Sequence, residues 1–271
     1  MSALAVPSAR KTGWMSLGVV VMYILISLCC QAQITVRGQL THEFVVEPGQ
    51  SYAGEIVISS TTDSRTGIEI TQSDYLFFAD GSNIYGEPGS VLRSNVEWIS
   101  FYAPPIIEPS ETVSIPFNIK VPDDPSLVGT YWSMILVAPE LPATETPAEG
   151  VGIQQRMGYG IQIVTHIGDT GKRKISIFDV KLLHEEEGFV LQVDIENTGE
   201  RWVRPMAWAE LYDEQGATAS RVESSQLRIY PGCSVRHRFV LSEIPSGAYK
   251  ALVVFDNNDE YVWGAQYDLD L

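Results

Sequence analysis

VSIPFNIKV, Val113 to Val121, alternates apolar and polar side chains along most of its length. Val113, Ile115, Phe117 and Ile119 can face a core while Ser114, Asn118 and Lys120 face water, the two-residue period of a β-strand. Pro116 has no N–H to give to a neighbouring strand, so it points to an edge position or a bulge. The same pattern continues outward. Strands are expected near His42 to Val46, Tyr52 to Ser60, Gly67 to Phe78, Glu97 to Phe101, Thr112 to Val121 and Thr130 to Val137, with EPGQ, TDSRTG, ADGSN and IEPSE between them as turns.

The second half is built alike. Ile175 to Leu183, Phe189 to Asn197, Met206 to Tyr212, Gln226 to Ile229, Ser234 to Leu241, Gly247 to Phe255 and Tyr261 to Leu269 read as strands. EEEG, NTGE, DEQG, YPG, IPSG and DNNDE separate them. No segment carries a sustained helical period. The fold class is therefore all-β: two consecutive immunoglobulin-like β-sandwich domains after an N-terminal signal segment. Trp208, in AWAELYD, is the expected core tryptophan of the second sandwich.

That signal segment is read from residues 1-32. Arg10 and Lys11 precede the apolar run Trp14 to Cys30, and the chain then reads QAQ, the grammar of a secretory leader cut after Ala32. The alternative is a leader retained as a membrane anchor, since about 17 apolar residues can just span a bilayer. Cleavage removes two of the 18 basic residues and none of the 34 acidic ones, moving the net charge from −16 to −18. Such a chain is repelled by nucleic acid and anionic membranes, and no later stretch is long and apolar enough for a membrane span. Cys233 is the one cysteine left after cleavage, so no internal disulfide is available.

APELPATETPAEG, residues 138-150, has three prolines, three glutamates and little to bury, and reads as a mobile loop. RMGYGIQIVTHIG, Arg156 to Gly168, follows it and reads as the last strand of domain 1. Met157, Tyr159, Ile161, Ile163, Thr165 and Ile167 share one side of it. The expected parse is domain 1 over 33-168, a hinge at 169-174 and domain 2 over 175-271.

A search for chemistry finds no GxSxG elbow, HExxH pair, Walker loop or dinucleotide fingerprint. His42, His166, His184 and His237 are scattered without metal spacing. FDNNDE holds the one calcium candidate, Asp256, Asn258 and Glu260, which also has the composition of a hairpin turn and lacks the EF-hand glycine. No enzyme class and no cofactor is expected.

The stretch Ile106 to Glu140, with IIEPSE, VSIPFNI, VPDD and TYWSMILVAP in order, resembles the first domain of periplasmic pilus-assembly chaperones. Together with VEPGQSYAGEIVISS it is also similar to the extracellular first domain of WxL-interacting surface proteins. Both families are non-enzymatic binders with two immunoglobulin-like domains. The chaperone resemblance implies β-strand pairing with an exported partner, a fibre or surface subunit, through Met157, Tyr159, Ile161 and Ile163. It also implies a basic anchor for a partner's carboxylate, with Arg37 in the first-strand position and Arg156 standing near the last strand, where Gly160, Gln162 and His166 replace the usual lysine. The expected function is an exported, periplasmic or cell-surface protein-binding factor. The alternative is a structural or adhesive surface protein whose last strand serves only its own sheet.

Overall fold

The computed structural model describes residues 33–102, 106–140, 156–186, 188–241, 244–258 and 261–271. The expected leader, most of the expected mobile loop and Glu260 of the calcium candidate lie outside them. No helix among the described residues is long and apolar enough to cross a membrane.

The first half forms β1 (Ile34–Arg37), β2 (Thr41–Val46), β3 (Ser51–Ser60), β4 (Thr66–Phe77), β5 (Asn83–Gly86), β6 (Ile99–Phe101), β7 (Ile106–Ile107), β8 (Thr112–Lys120), β9 (Gly129–Pro139) and β10 (Tyr159–Ile167). One sheet runs β1-β3-β8-β6 and the facing sheet β2-β10-β9-β4-β5, with β7 against β4. Alternation puts Ile56, Ile58, Ile115, Phe117 and Ile119 of one sheet against Ile135, Val137, Ile161 and Ile163 of the other, all buried. Burying each such side chain stabilises by about 1.5–3 kcal/mol.

Pro116 finds the position its missing N–H requires. The N–H of Val121 points to β3, so by alternation that of residue 116 would point to β6, which ends at Phe101 opposite Phe117. Pro116 thus sits inside the sheet, yet at a local edge on the side where it cannot donate.

The second half forms β11 (Ile175–Glu185), β12 (Gly188–Asn197), β13 (Met206–Tyr212), β14 (Thr218–Ser224), β15 (Ser234–Val240), β16 (Ala248–Asp256) and β17 (Val262–Asp270). Its sheets run β11-β12-β15 and β14-β13-β16-β17, completing the second immunoglobulin-like sandwich. Two expectations are corrected. Gln226 to Ile229 is not a strand: it makes one bridge, Ile229 to Val203, and Asn197 Nδ2 holds the Ile229 carbonyl at 2.9 Å. Trp208 is not in the core, because Ala207, Ala209 and Leu211 take the inward positions of β13. Trp208 lies on the outer face under the Arg221 guanidinium, 4.4 Å from its ring centroid.

The two sandwiches share a packed interface. Tyr230, 1% exposed, stacks on Trp132 of β9 with ring centroids 4.9 Å apart and meets Phe77 edge-on at 5.9 Å. The crossing from β10 to β11, the expected hinge, is tied down by Arg201, whose Nη1 donates to the carbonyls of Gly168 at 2.8 Å and Thr170 at 3.1 Å.

Candidate functional site

β10 is closed on one side along its whole length and on the other along only part of it. β9 pairs with it from Tyr159 to Ile167. β2 pairs with it in parallel only from Gln162 to Ile167, and the Leu40 carbonyl accepts the Gln162 N–H at 2.8 Å. Among the described residues, no strand lies beside 156–161 on that side. Since Gln162 N–H points away from β9, alternation turns the N–H and C=O of Gly158 and Gly160 to the same open side. Main-chain groups there are free to pair with an incoming strand.

The two faces of β10 have different fates. Tyr159, Ile161, Ile163 and Ile167 point into the domain's own core, with Ile161 and Ile163 fully buried. Toward its C-terminal end, the opposite face is covered by the second sandwich. Val164 joins that core, Gln162 Oε1 accepts from the Tyr230 hydroxyl at 2.7 Å, and His166 stacks on Trp202. Toward its N-terminal end, this face carries only Gly158 and Gly160. Beside them Met134, Leu136 and Ala138 of β9 floor a groove of about 550 Å³, which Thr71 and Tyr85 help to line. A Cβ at Gly160 would lie 2.4 Å from Met134 Sδ, and one at Gly158 would lie 3.2 Å from the Ala138 Cβ, so close packing against β9 favours glycine at both positions.

The expected site residues are only partly brought together. Met157 is 46% exposed at the entrance of the edge, and Arg156 is held there by Glu69 at 2.5 Å. Tyr159 is half-buried, and Ile161 and Ile163 are withdrawn from the surface into this chain's own core. Arg37 is apart from Arg156: it lies on β1 of the other sheet, where its Nε donates to Ser59 Oγ at 2.6 Å. The groove residues of β9 and Gly158 were not singled out from the sequence, and Gly160 was noted only as standing where a lysine is usual. The signal for them was the G-Y-G alternation within RMGYGIQ, which strips one face of the strand.

At the calcium candidate, Asp256 Oδ1 accepts the Asn258 N–H at 2.9 Å, a turn contact, and Asn258 is left-handed at φ 61°. No group of three or more metal-ligating side chains stands together among the described residues. Cys233 is fully buried before β15, and burial pushes its thiol up to about 12.

Two buried histidines set the acid response. The Thr130 hydroxyl accepts the main-chain N–H of Trp202 at 3.1 Å and shares a hydrogen bond with His166 Nδ1 at 3.0 Å. Burial, helped by Arg201, Arg228 and Arg173, holds His166 down at about 3, and burial holds His237 at about 4. Both histidines therefore bind a proton in the unfolded chain below about pH 6.5 but not in the folded one. The contribution of these two histidines is full above pH 6.5 and is lost as pH drops toward 4, by about 2 kcal/mol per histidine at pH 5. Urea midpoints measured from pH 7.5 to 5 should decline accordingly, and a flat profile would contradict neutral burial.

No known family profile matches the chain, and no curated protein matches it. Solved structures do. A chain from a chaperone–tip adhesin complex of CFA/I fimbriae biogenesis is 11% identical, with a TM-score of 0.46, over 88% of this chain and 98% of that one. The class 5 fimbriae chaperone CfaA is 11% identical at a TM-score of 0.44, over 88% and 100%. A chain of the CsuC–CsuE chaperone–tip adhesion subunit complex of Acinetobacter baumannii is 12% identical at 0.42, over 88% and 98%. These are likenesses of architecture.

Proposed function

We propose that this chain is a non-enzymatic, exported binder that pairs an extended segment of another exported protein along the open edge of β10, as a chaperone or surface-assembly factor. The observation that carries the reading is the half-covered strand: β2 stops at Gln162, and the Gly158 and Gly160 main chain is left facing outward. Strand addition at such an edge takes its affinity from main-chain hydrogen bonds. Met157, Tyr159 and Arg156 lie at the pairing end, whereas Ile161 and Ile163 brace the strand from behind. The WxL-interacting likeness belongs to the same reading, with a surface protein as partner.

Gly158→Pro tests it beside Gly158→Ala: both bring a Cβ to 3.2 Å from the Ala138 Cβ, and only proline also removes the outward N–H, without breaking a bond to β9. The expected result is cooperative unfolding like the parent's together with loss of the exported proteins that co-purify with the parent. Unchanged co-purification by the folded variant would sink the proposal. One observation favours a second reading, a structural or adhesive surface protein: the apolar row of β10 fills its own core. That reading expects no partner to be lost on Gly158→Pro.

A further inference from the structure

Resting on that strand-pairing reading, the geometry points to a reversed exchange of side chains: the partner strand supplies a large apolar side chain, and the groove beside Gly158 and Gly160 receives it. We infer further that the partner segment carries basic residues flanking that side chain.

The direction of exchange follows from which side chains are already committed. The row that could be lent outward, Tyr159, Ile161, Ile163 and Ile167, is packed into the first sandwich. The row on the other face is missing where the edge is open, because positions 158 and 160 are glycines. A strand hydrogen-bonded to this edge sends alternate side chains to either face of the widened sheet. On the groove face, the cross-strand neighbours about 4.5–5.5 Å away have no side chain to meet it. What it meets instead is the apolar floor of Met134, Leu136 and Ala138, with Tyr85, itself 59% exposed, also lining the groove. The volume, about 550 Å³, exceeds what one methyl group fills and falls within the about 300–1,000 Å³ of sites that enclose a sizeable apolar group.

The charge of the partner follows from the surroundings. Residues 33–150 carry four basic side chains and sixteen acidic ones. Around the groove, Glu69 is matched by Arg156, and the exposed Glu140 stands beyond it, packed over Gly67. A segment with lysine or arginine on either side of its apolar residue is attracted to this end of the domain, and an acidic one is repelled.

The test uses the full chain and nine-residue threonine-rich peptides with lysines at both ends and leucine, phenylalanine or alanine at the centre. Binding is followed by titration, and amide protection at Gly158 and Gly160 by hydrogen exchange. The expected result is at least tenfold tighter binding of the leucine and phenylalanine peptides than of the alanine peptide. That advantage should disappear in Ala138→Phe, which fills the groove from within, while the alanine peptide still protects both glycine amides. Equal binding of all three peptides with protected amides would overturn the receiving groove and leave strand pairing standing. No protection by any peptide would overturn both. Equally tight binding of glutamate-ended peptides would overturn the basic flanks.

Discussion

Tyr230→Ala should cost about 3–5 kcal/mol, the range for removing a large buried aromatic, and should split one unfolding transition into two. The size follows from its position. Tyr230 is 1% exposed, stacked on Trp132, edge-on to Phe77, and its hydroxyl is bonded to Gln162. The splitting follows from whom it joins. Trp132 and Val164 belong to strands of the first sandwich, yet they pack into the core that Tyr230 shares with the second. Removing the ring takes away the stacked and edge-on aromatic contacts by which unfolding of one sandwich exposes the other. Tyr230→Phe keeps that contact and should lose only about 1 kcal/mol, with a single transition. Calorimetry on the three proteins decides; a single unshifted transition for Tyr230→Ala would refute the coupling.

Ile163→Asp should fail to fold. The position has no exposure and belongs to a cluster of buried hydrophobic side chains, with Ser133 and His42 as its cross-strand neighbours. Loss of the isoleucine alone costs about 2–5 kcal/mol, and taking a carboxylate out of water into this core adds more. That exceeds what a domain of ordinary stability, about 5–15 kcal/mol, tolerates at the lower end of its range. Met157→Asp, at an exposed position two residues before the same strand, should shift stability by no more than about 0.5 kcal/mol. Far-ultraviolet circular dichroism and urea titration compare the two. A cooperatively folded Ile163→Asp would mean the strand is not locked into its sheet.

Much of the fold was legible because half-buried strands print their geometry as alternation. Val113 to Val121 is the clear case, and Ile115, Phe117 and Ile119 are fully buried as read. β14 was missed because TASRVES buries little. It is an edge strand beside β13, and its residues are only half-buried or exposed. β1 and β7 are short and depend on partners distant in sequence for their hydrogen bonds, so no local pattern announces them, and β5, though the return arm of a hairpin with β4, is four residues long and mostly exposed. Trp208 misled because an aromatic in a strand can lie on either face, and only the alanines at 207 and 209 showed which face is inward.

The candidate site was half legible. Alternation located the strand from Arg156 onward and its apolar row, but it cannot say whether that row meets a partner or the chain's own second sheet. That depends on β3 and β8, the nearer of which ends 39 positions before β10 begins. The reach of β2, which sets how much edge stays open, is a tertiary fact with no signature in either strand. The two glycines were visible, but their meaning needed Met134 and Ala138 above them.

The point where β2 takes over the edge of β10 also works as a stop. Leu40 and Thr41 occupy the next place in line after Ile161, so a foreign chain laid along the opening cannot run past them. A guest strand paired as proposed therefore meets a fixed end, and its register is set where it abuts the host's own first half.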